Sequence, residues 1–174
     1  MIYGIIFNRF SSVKRSNGLW LWKPYIILNA LERVSDGDYV FYCDSGAFFF
    51  SSVKPLIDSM RDADIWVSDI PYIEEQWTKP EVFARLGITS AEIKSSAQIQ
   101  GSFVLARKSK MSCEFVREWL KMCATPELIK PLEPGEPHGV CIGSVIRQVI
   151  RGRRREVIAA LVRMAFAGIL HPQS

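Results

Sequence analysis

The sequence is short of the residues that build metal and redox centres, with four cysteines and two histidines among 174 residues. Cys43, Cys113, Cys123 and Cys141 form no Cys-x-x-Cys pair and stand at no zinc-ligand spacing from His138 or His171, so they read as reduced thiols. Long apolar runs are missing too. The longest, Val157 to Leu170, carries Arg163 inside it and is well short of the roughly 20 residues that span a bilayer. The opening Met1-Ile2-Tyr3-Gly4-Ile5-Ile6-Phe7 has no basic leader, long apolar core or small-residue cleavage site. A secretory signal is therefore not expected, and the expected compartment is the cytoplasm.

What the sequence does have is a globular composition, 48% hydrophobic and 23% charged, which excludes a disordered polyelectrolyte or a collagen-like chain. Its length suits one domain. The formal charge of +4 is unevenly spread: from Arg147 onward, Arg147, Arg151, Arg153, Arg154, Arg155 and Arg163 face Glu156 alone. The rest of the chain is nearly neutral, so no nucleic-acid partner is expected, because a nucleic-acid face lays its basic residues across the folded surface.

Short strands and helices alternate along the chain. Ile2 to Phe7 reads as a strand and Asn8 to Gly18 as a polar loop. Pro24 suits a first helical turn, and Tyr25, Ile26, Leu28, Leu31 and Val34 suit a broad buried face, with a stop near Asp36-Gly37. Tyr39 to Cys43 is a continuous apolar run between two acids, the pattern of a strand covered on both faces in a mainly parallel sheet. A helix over residues 51–60, a strand at Ile65 to Val67 ending at Ser68-Asp69, a helix from Thr78 to Leu86, a strand over 98–106 and a helix over 109–123 follow. The order is α/β. Four prolines between Pro126 and Pro137 interrupt regular structure. The expected organisation is an α/β domain over residues 1–125, a proline-rich loop over 126–139 and a basic helical tail over 140–174.

The stretch richest in chemistry is Gly18-Leu19-Trp20-Leu21-Trp22-Lys23-Pro24-Tyr25-Ile26-Ile27, leading through Gly37-Asp38 into Tyr42-Cys43-Asp44-Ser45-Gly46. It places an acid at the carboxyl end of a buried strand, the edge where open α/β sheets bind ligands. Asp44 there suits a divalent ion, which takes oxygen ligands and neutralises a diphosphate. The plain alternative is a strand-terminating acid in a turn. Lys23 reads either as a phosphate contact or as a helix-start lysine packed on Trp20 or Trp22. Those two tryptophans read as stacking platforms or, with more weight, as core. Trp77 and Lys79 precede a helix and read as lining an acceptor cleft or as part of a plain surface loop. Asp69, Glu74 and Glu75 are the carboxylates available to activate a hydroxyl. Gln98 reads as a donor or acceptor contact or a strand-edge cap.

These motifs, with Trp77-Thr78-Lys79, Gln98-Ile99 and Trp119, resemble nucleotide-diphospho-sugar transferases of the GT-A type, including bacterial capsular-polysaccharide glycosyltransferase-like proteins, over about residues 17 to 123. The resemblance implies a GT-A-like, Rossmann-like, mainly parallel sheet flanked by helices, incomplete here and followed by a helical C-terminal tail. It implies metal-assisted transfer of a sugar from a nucleotide-diphosphate donor to a saccharide or other hydroxyl acceptor. Asp44 takes the place of the acidic metal motif, with Mn or Mg as cofactor and His138 as second ligand. Trp20, Trp22, Lys23, Ser45, Gly46, Trp77, Lys79 and Gln98 are the implied donor or acceptor contacts. Where many members carry Asp-x-Asp, this chain has Asp44-Ser45-Gly46, and His138 is not followed by the family's Arg, Asp and Gln. The stretch before Trp20 is also shorter than in the family. The expectation is thus a truncated or diverged member, altered in frame at its C-terminal end. Two further functions stay open: a catalytically inactive interaction module of the same fold, and peripheral contact of the arginine-rich tail with an anionic membrane surface.

Overall fold

The computed structural model describes residues 20–47 and 49–129. The expected strand over 2–7, most of the proline-rich loop, His138 and the basic tail lie outside the described residues.

Helix α1 (Trp22–Leu31) begins two residues before Pro24, whose missing N–H falls in the first turn, where no carbonyl would accept it. It ends earlier than the apolar spacing predicts. Ser35 to Asp38 form a turn in which the Ser35 amide donates to the Asp38 carboxylate at 2.9 Å, and Gly37 takes the left-handed φ of +90° that other residues resist. Strand β1 (Tyr39–Cys43) follows, then α2 (Lys54–Met60), β2 (Ile65–Ile73) and a 3-10 turn (Glu74–Gln76). After these come α3 (Pro80–Arg85), α4 (Ala91–Lys94), β3 (Ala97–Arg107), α5 (Lys110–Cys123) and α6 (Pro126–Ile129).

The three strands form one sheet in the order β1-β3-β2. Both pairings are antiparallel, Tyr39 lying opposite Arg107 and Ile65 opposite Ala106. The mainly parallel sheet expected from the sequence is thus corrected for the described strands. The apolar run of β1 carries no information on strand direction, and in this sheet only Tyr42 of the five is fully buried. β2 runs past its expected end through Pro71, because irregularities between Val67 and Asp69 and between Ile70 and Ile73 absorb the misfit. An outer strand of a sheet tolerates the amide that proline lacks.

Alternation along β3 divides the core. Val104 and Ala106 face a large cluster built with Leu28 and Leu31 of α1 and Phe115, Val116 and Trp119 of α5. Leu105 faces a smaller one with Met60 and Trp66, flanked by Phe41, Leu56 and Phe103 under α2. Each fully buried large apolar side chain contributes about 1.5–3 kcal/mol, so the α1–α5 side carries most of the stability. The buried Cys113 and Cys123 belong to it; among the described residues they and the partly buried Cys43 are free thiols, and burial pushes Cys123 up to about 12. No helix among the described residues is long and apolar enough to cross a membrane.

Polar side chains fix where these elements join. Lys108 donates to the Leu31 carbonyl at 2.6 Å, satisfying an acceptor at the carboxyl end of α1, where a cation is favoured. Arg107 donates twice to one oxygen of Asp64, and the Ser109 hydroxyl donates to the other at 2.9 Å. Ser109 also caps α5, its Oγ accepting from the Ser112 amide while the Ser112 hydroxyl accepts from the Ser109 amide, both at 3.0 Å. Ser109→Ala therefore loses a helix cap and a carboxylate hydrogen bond. The expected cost is about 1–2 kcal/mol, read as a lower midpoint in urea denaturation; an unchanged midpoint contradicts this role.

Candidate functional site

β3 is longer than β1, and this difference makes the site. Cys43 is the last residue of β1 to pair, opposite Phe103, while β3 continues back to Ala97 against β2 alone. The Asp44 amide still donates to the Ser102 carbonyl at 3.0 Å, and then the chain turns away, with the Ala47 amide donating to the Asp44 carbonyl. Ser45 and Gly46 form the exposed tip of that turn. A side chain added at Gly46 would meet nothing within 4 Å, so the glycine is not required by close packing.

Lys23, in the first turn of α1, reaches across this notch. Its Nζ lies 2.9 Å from each carboxylate oxygen of Asp44 and 3.4 Å from the Gly101 carbonyl, the next acceptor along the edge that β1 has left. The Tyr42 hydroxyl, two residues before Asp44, donates to Oδ1 at 2.5 Å. Trp22 meets the Tyr42 ring edge-on at 5.9 Å, and the ammonium sits 5.8 Å from the Trp22 ring and 5.9 Å from that of Tyr42. Lys23 is only 8% exposed. A cation at a helix amino terminus opposes the helix dipole, so the lysine is held there by Asp44 and the two rings and not by the helix itself.

Electrostatics at the pair follow from these contacts. Partial burial pushes the Asp44 carboxyl up, but hydrogen bonds from Tyr42, Lys23 and Ser102, with the Lys23 charge, outweigh it and hold the group below the ordinary aspartate range. Burial, together with the adjacent Asp44, keeps the proton on Tyr42. The result is an ionised carboxylate with a tyrosine that stays a donor. Among the described residues the donor set around Asp44 is that of an ion pair and not that of a divalent cation. Both carboxylate oxygens face an ammonium, and among the described residues no group of three His, Cys, Asp or Glu side chains converges.

No family model, curated protein or solved structure matches the chain. The site therefore rests on its own geometry.

The remaining sequence candidates fall in two stretches of the chain. Trp20 is exposed and takes a left-handed φ of 63° just before α1, while Trp22 is partly buried against the core. The core reading of the tryptophan motif thus suits Trp22 and not Trp20. The others are spread over β2, the segment that follows it and the start of β3. Trp77 is exposed and lies 5.3 Å from Tyr72, but Lys79 is buried and its Nζ donates to the Glu127 carbonyl at 2.9 Å, tying α6 to the start of α3. Of the three carboxylates, Glu74 is fully buried and bonded to Thr78, Asp69 is half-buried on β2 and Glu75 is exposed. Gln98 is half-buried on β3, paired in register with Ile70. The sequence alone does not point to Tyr42 and Ser102 as partners of Asp44, or to the Gly101 carbonyl as a partner of Lys23. Tyr42 alone has a signal in its spacing, since residues two apart along an extended chain share a face.

Because the folded Asp44 pKa is depressed, its contribution is complete above the unfolded value of about 3.9 and is lost as pH falls through the lower folded value. Urea denaturation of wild type and Asp44→Asn between pH 3 and 6 is expected to show a stability gap that is constant at the upper end and closes toward the lower. A gap independent of pH contradicts the assignment.

Proposed function

We propose that the chain is a glycosyltransferase-like protein of GT-A-like descent that engages a nucleotide-diphosphate sugar at the end of β1 and passes the sugar to a hydroxyl acceptor. The observation that carries this reading is the Lys23–Asp44 pair. It joins the two halves of the motif that resembles those enzymes, and a buried lysine beside an ionised carboxylate in a sheet-edge notch is a costly arrangement to build for packing alone. The exposed Ser45-Gly46 turn offers backbone and hydroxyl donors beside it, and the exposed Trp20 stands three residues before Lys23 as a surface for a base or sugar ring. On this reading transfer needs no metal on Asp44, because the ammonium already holds both of its oxygens. For acceptor activation, Glu75 is exposed, Asp69 is half-buried and Glu74 is sealed in.

A second reading, a catalytically inactive module of this fold, has its own support. Lys23, Tyr42 and Ser102 engage Asp44, and Lys79 is committed to the Glu127 carbonyl, so two of the expected contact residues have structural partners. Calorimetry on the full chain with UDP and GDP, followed by an assay for released nucleotide in the presence of the matching nucleotide sugars, separates the two. The transferase reading expects binding of one nucleotide, weakened at least about tenfold in Asp44→Ala, together with turnover. Binding without turnover supports the inactive module. Absence of binding to either nucleotide contradicts a donor site.

A further inference from the structure

We infer that Lys23 is itself the bridging cation of this site, standing between the Asp44 carboxylate and a phosphoryl oxygen of the ligand, so that the site binds its ligand without a divalent metal. The inference rests on the donor-site reading above and names the chemistry of that site. A metal ion at such a position has two tasks: to be held by a protein carboxylate, and to offer positive charge to a diphosphate. Lys23 performs the first through two 2.9 Å contacts, one to each oxygen of Asp44. Its remaining N–H makes only a 3.4 Å approach to the Gly101 carbonyl, long for a hydrogen bond to an ammonium, so this is the limb that a ligand oxygen takes over at least cost. Asp44 is the more exposed member, its side chain 37% accessible against 10% for Lys23, and the Ser45-Gly46 turn next to it is exposed, so the pair is open to solvent at that turn. A divalent cation brought to the same carboxylate meets an ammonium already seated on both oxygens, 5.8 Å from the Trp22 ring and 5.9 Å from the Tyr42 ring.

The test uses Mn as a paramagnetic probe on the isotopically labelled full chain, with selective broadening of the Asp44, Ser45 and Gly46 amides as the readout. Wild type and Lys23→Arg are expected to show none at millimolar Mn. Lys23→Met, which keeps an apolar stem against both rings, is expected to show it, because the carboxylate is then free of its cation. Selective broadening in wild type overturns the inference, and so does its absence in a folded Lys23→Met. A second arm titrates UDP, GDP and inorganic pyrophosphate in EDTA and in Mn. Equal affinities in the two conditions support the inference, and a requirement for Mn overturns it. Binding of pyrophosphate alone places recognition in the phosphates; binding of a nucleotide alone adds the base. If none of the three binds, the donor-site reading fails, while the broadening arm still decides whether Lys23 holds the cation position.

Discussion

Lys23 is buried beside the end of β1, at a helix terminus that disfavours a cation, and the Asp44 carboxylate supplies the one opposite charge that holds it there. The consequences spread in three directions. Through Lys23 the pair fixes the start of α1; through the Asp44 amide and the Gly101 and Ser102 contacts it fixes where β1 leaves β3; through Tyr42 and Trp22 it seals that end of the larger core. The other end of α1 is fixed independently by Lys108 on the Leu31 carbonyl. A helix held by a lysine at each end, one its own and one from the β3–α5 link, is aligned on the sheet by two independent contacts.

The notch that holds the pair exists because the strands are unequal. β3 pairs with β2 near both of its ends, at 104–106 and at 97–99, but with β1 only over 103–107, so acceptors at Gly101 and Ser102 face an edge that β1 does not complete. Backbone carbonyls left in such an edge need donors. The Asp44 amide supplies one and the Lys23 ammonium the other. The same arrangement that completes the sheet's hydrogen bonding thereby delivers a cation and a carboxylate to one exposed turn.

How much of this was legible in the sequence differs by level. The apolar periodicity of α1 and α5 and the apolar run of β1 located those elements to within a few residues, because burial of a face is written in the spacing of side chains. Strand direction was not, because Tyr39 to Cys43 pairs as readily one way as the other; the antiparallel order follows from long-range contacts between residues some sixty apart in the chain. The strand expected to end at Ser68-Asp69 runs on to Ile73 for a related reason, since an outer strand with irregular register accepts Pro71 where a regular central strand rejects it. At the site, Lys23 and Asp44 were both singled out, but as separate contacts to a ligand. Their pairing across 21 residues is a tertiary fact that neither residue's local sequence carries. Lys79 shows the opposite outcome: the same residue type, also just before a helix, is committed to the Glu127 carbonyl on α6.

The claim on which the rest depends is that Lys23 and Asp44 act on each other and do not merely lie close together. A double-mutant cycle with Lys23→Met, Asp44→Asn and the combined variant, read by urea denaturation at pH 7, measures that directly. The structure predicts a coupling free energy of at least about 1 kcal/mol, the double variant being more stable than the sum of the single effects allows. Additive effects, with coupling within about 0.3 kcal/mol of zero, would show that the pair organises neither the fold nor the site.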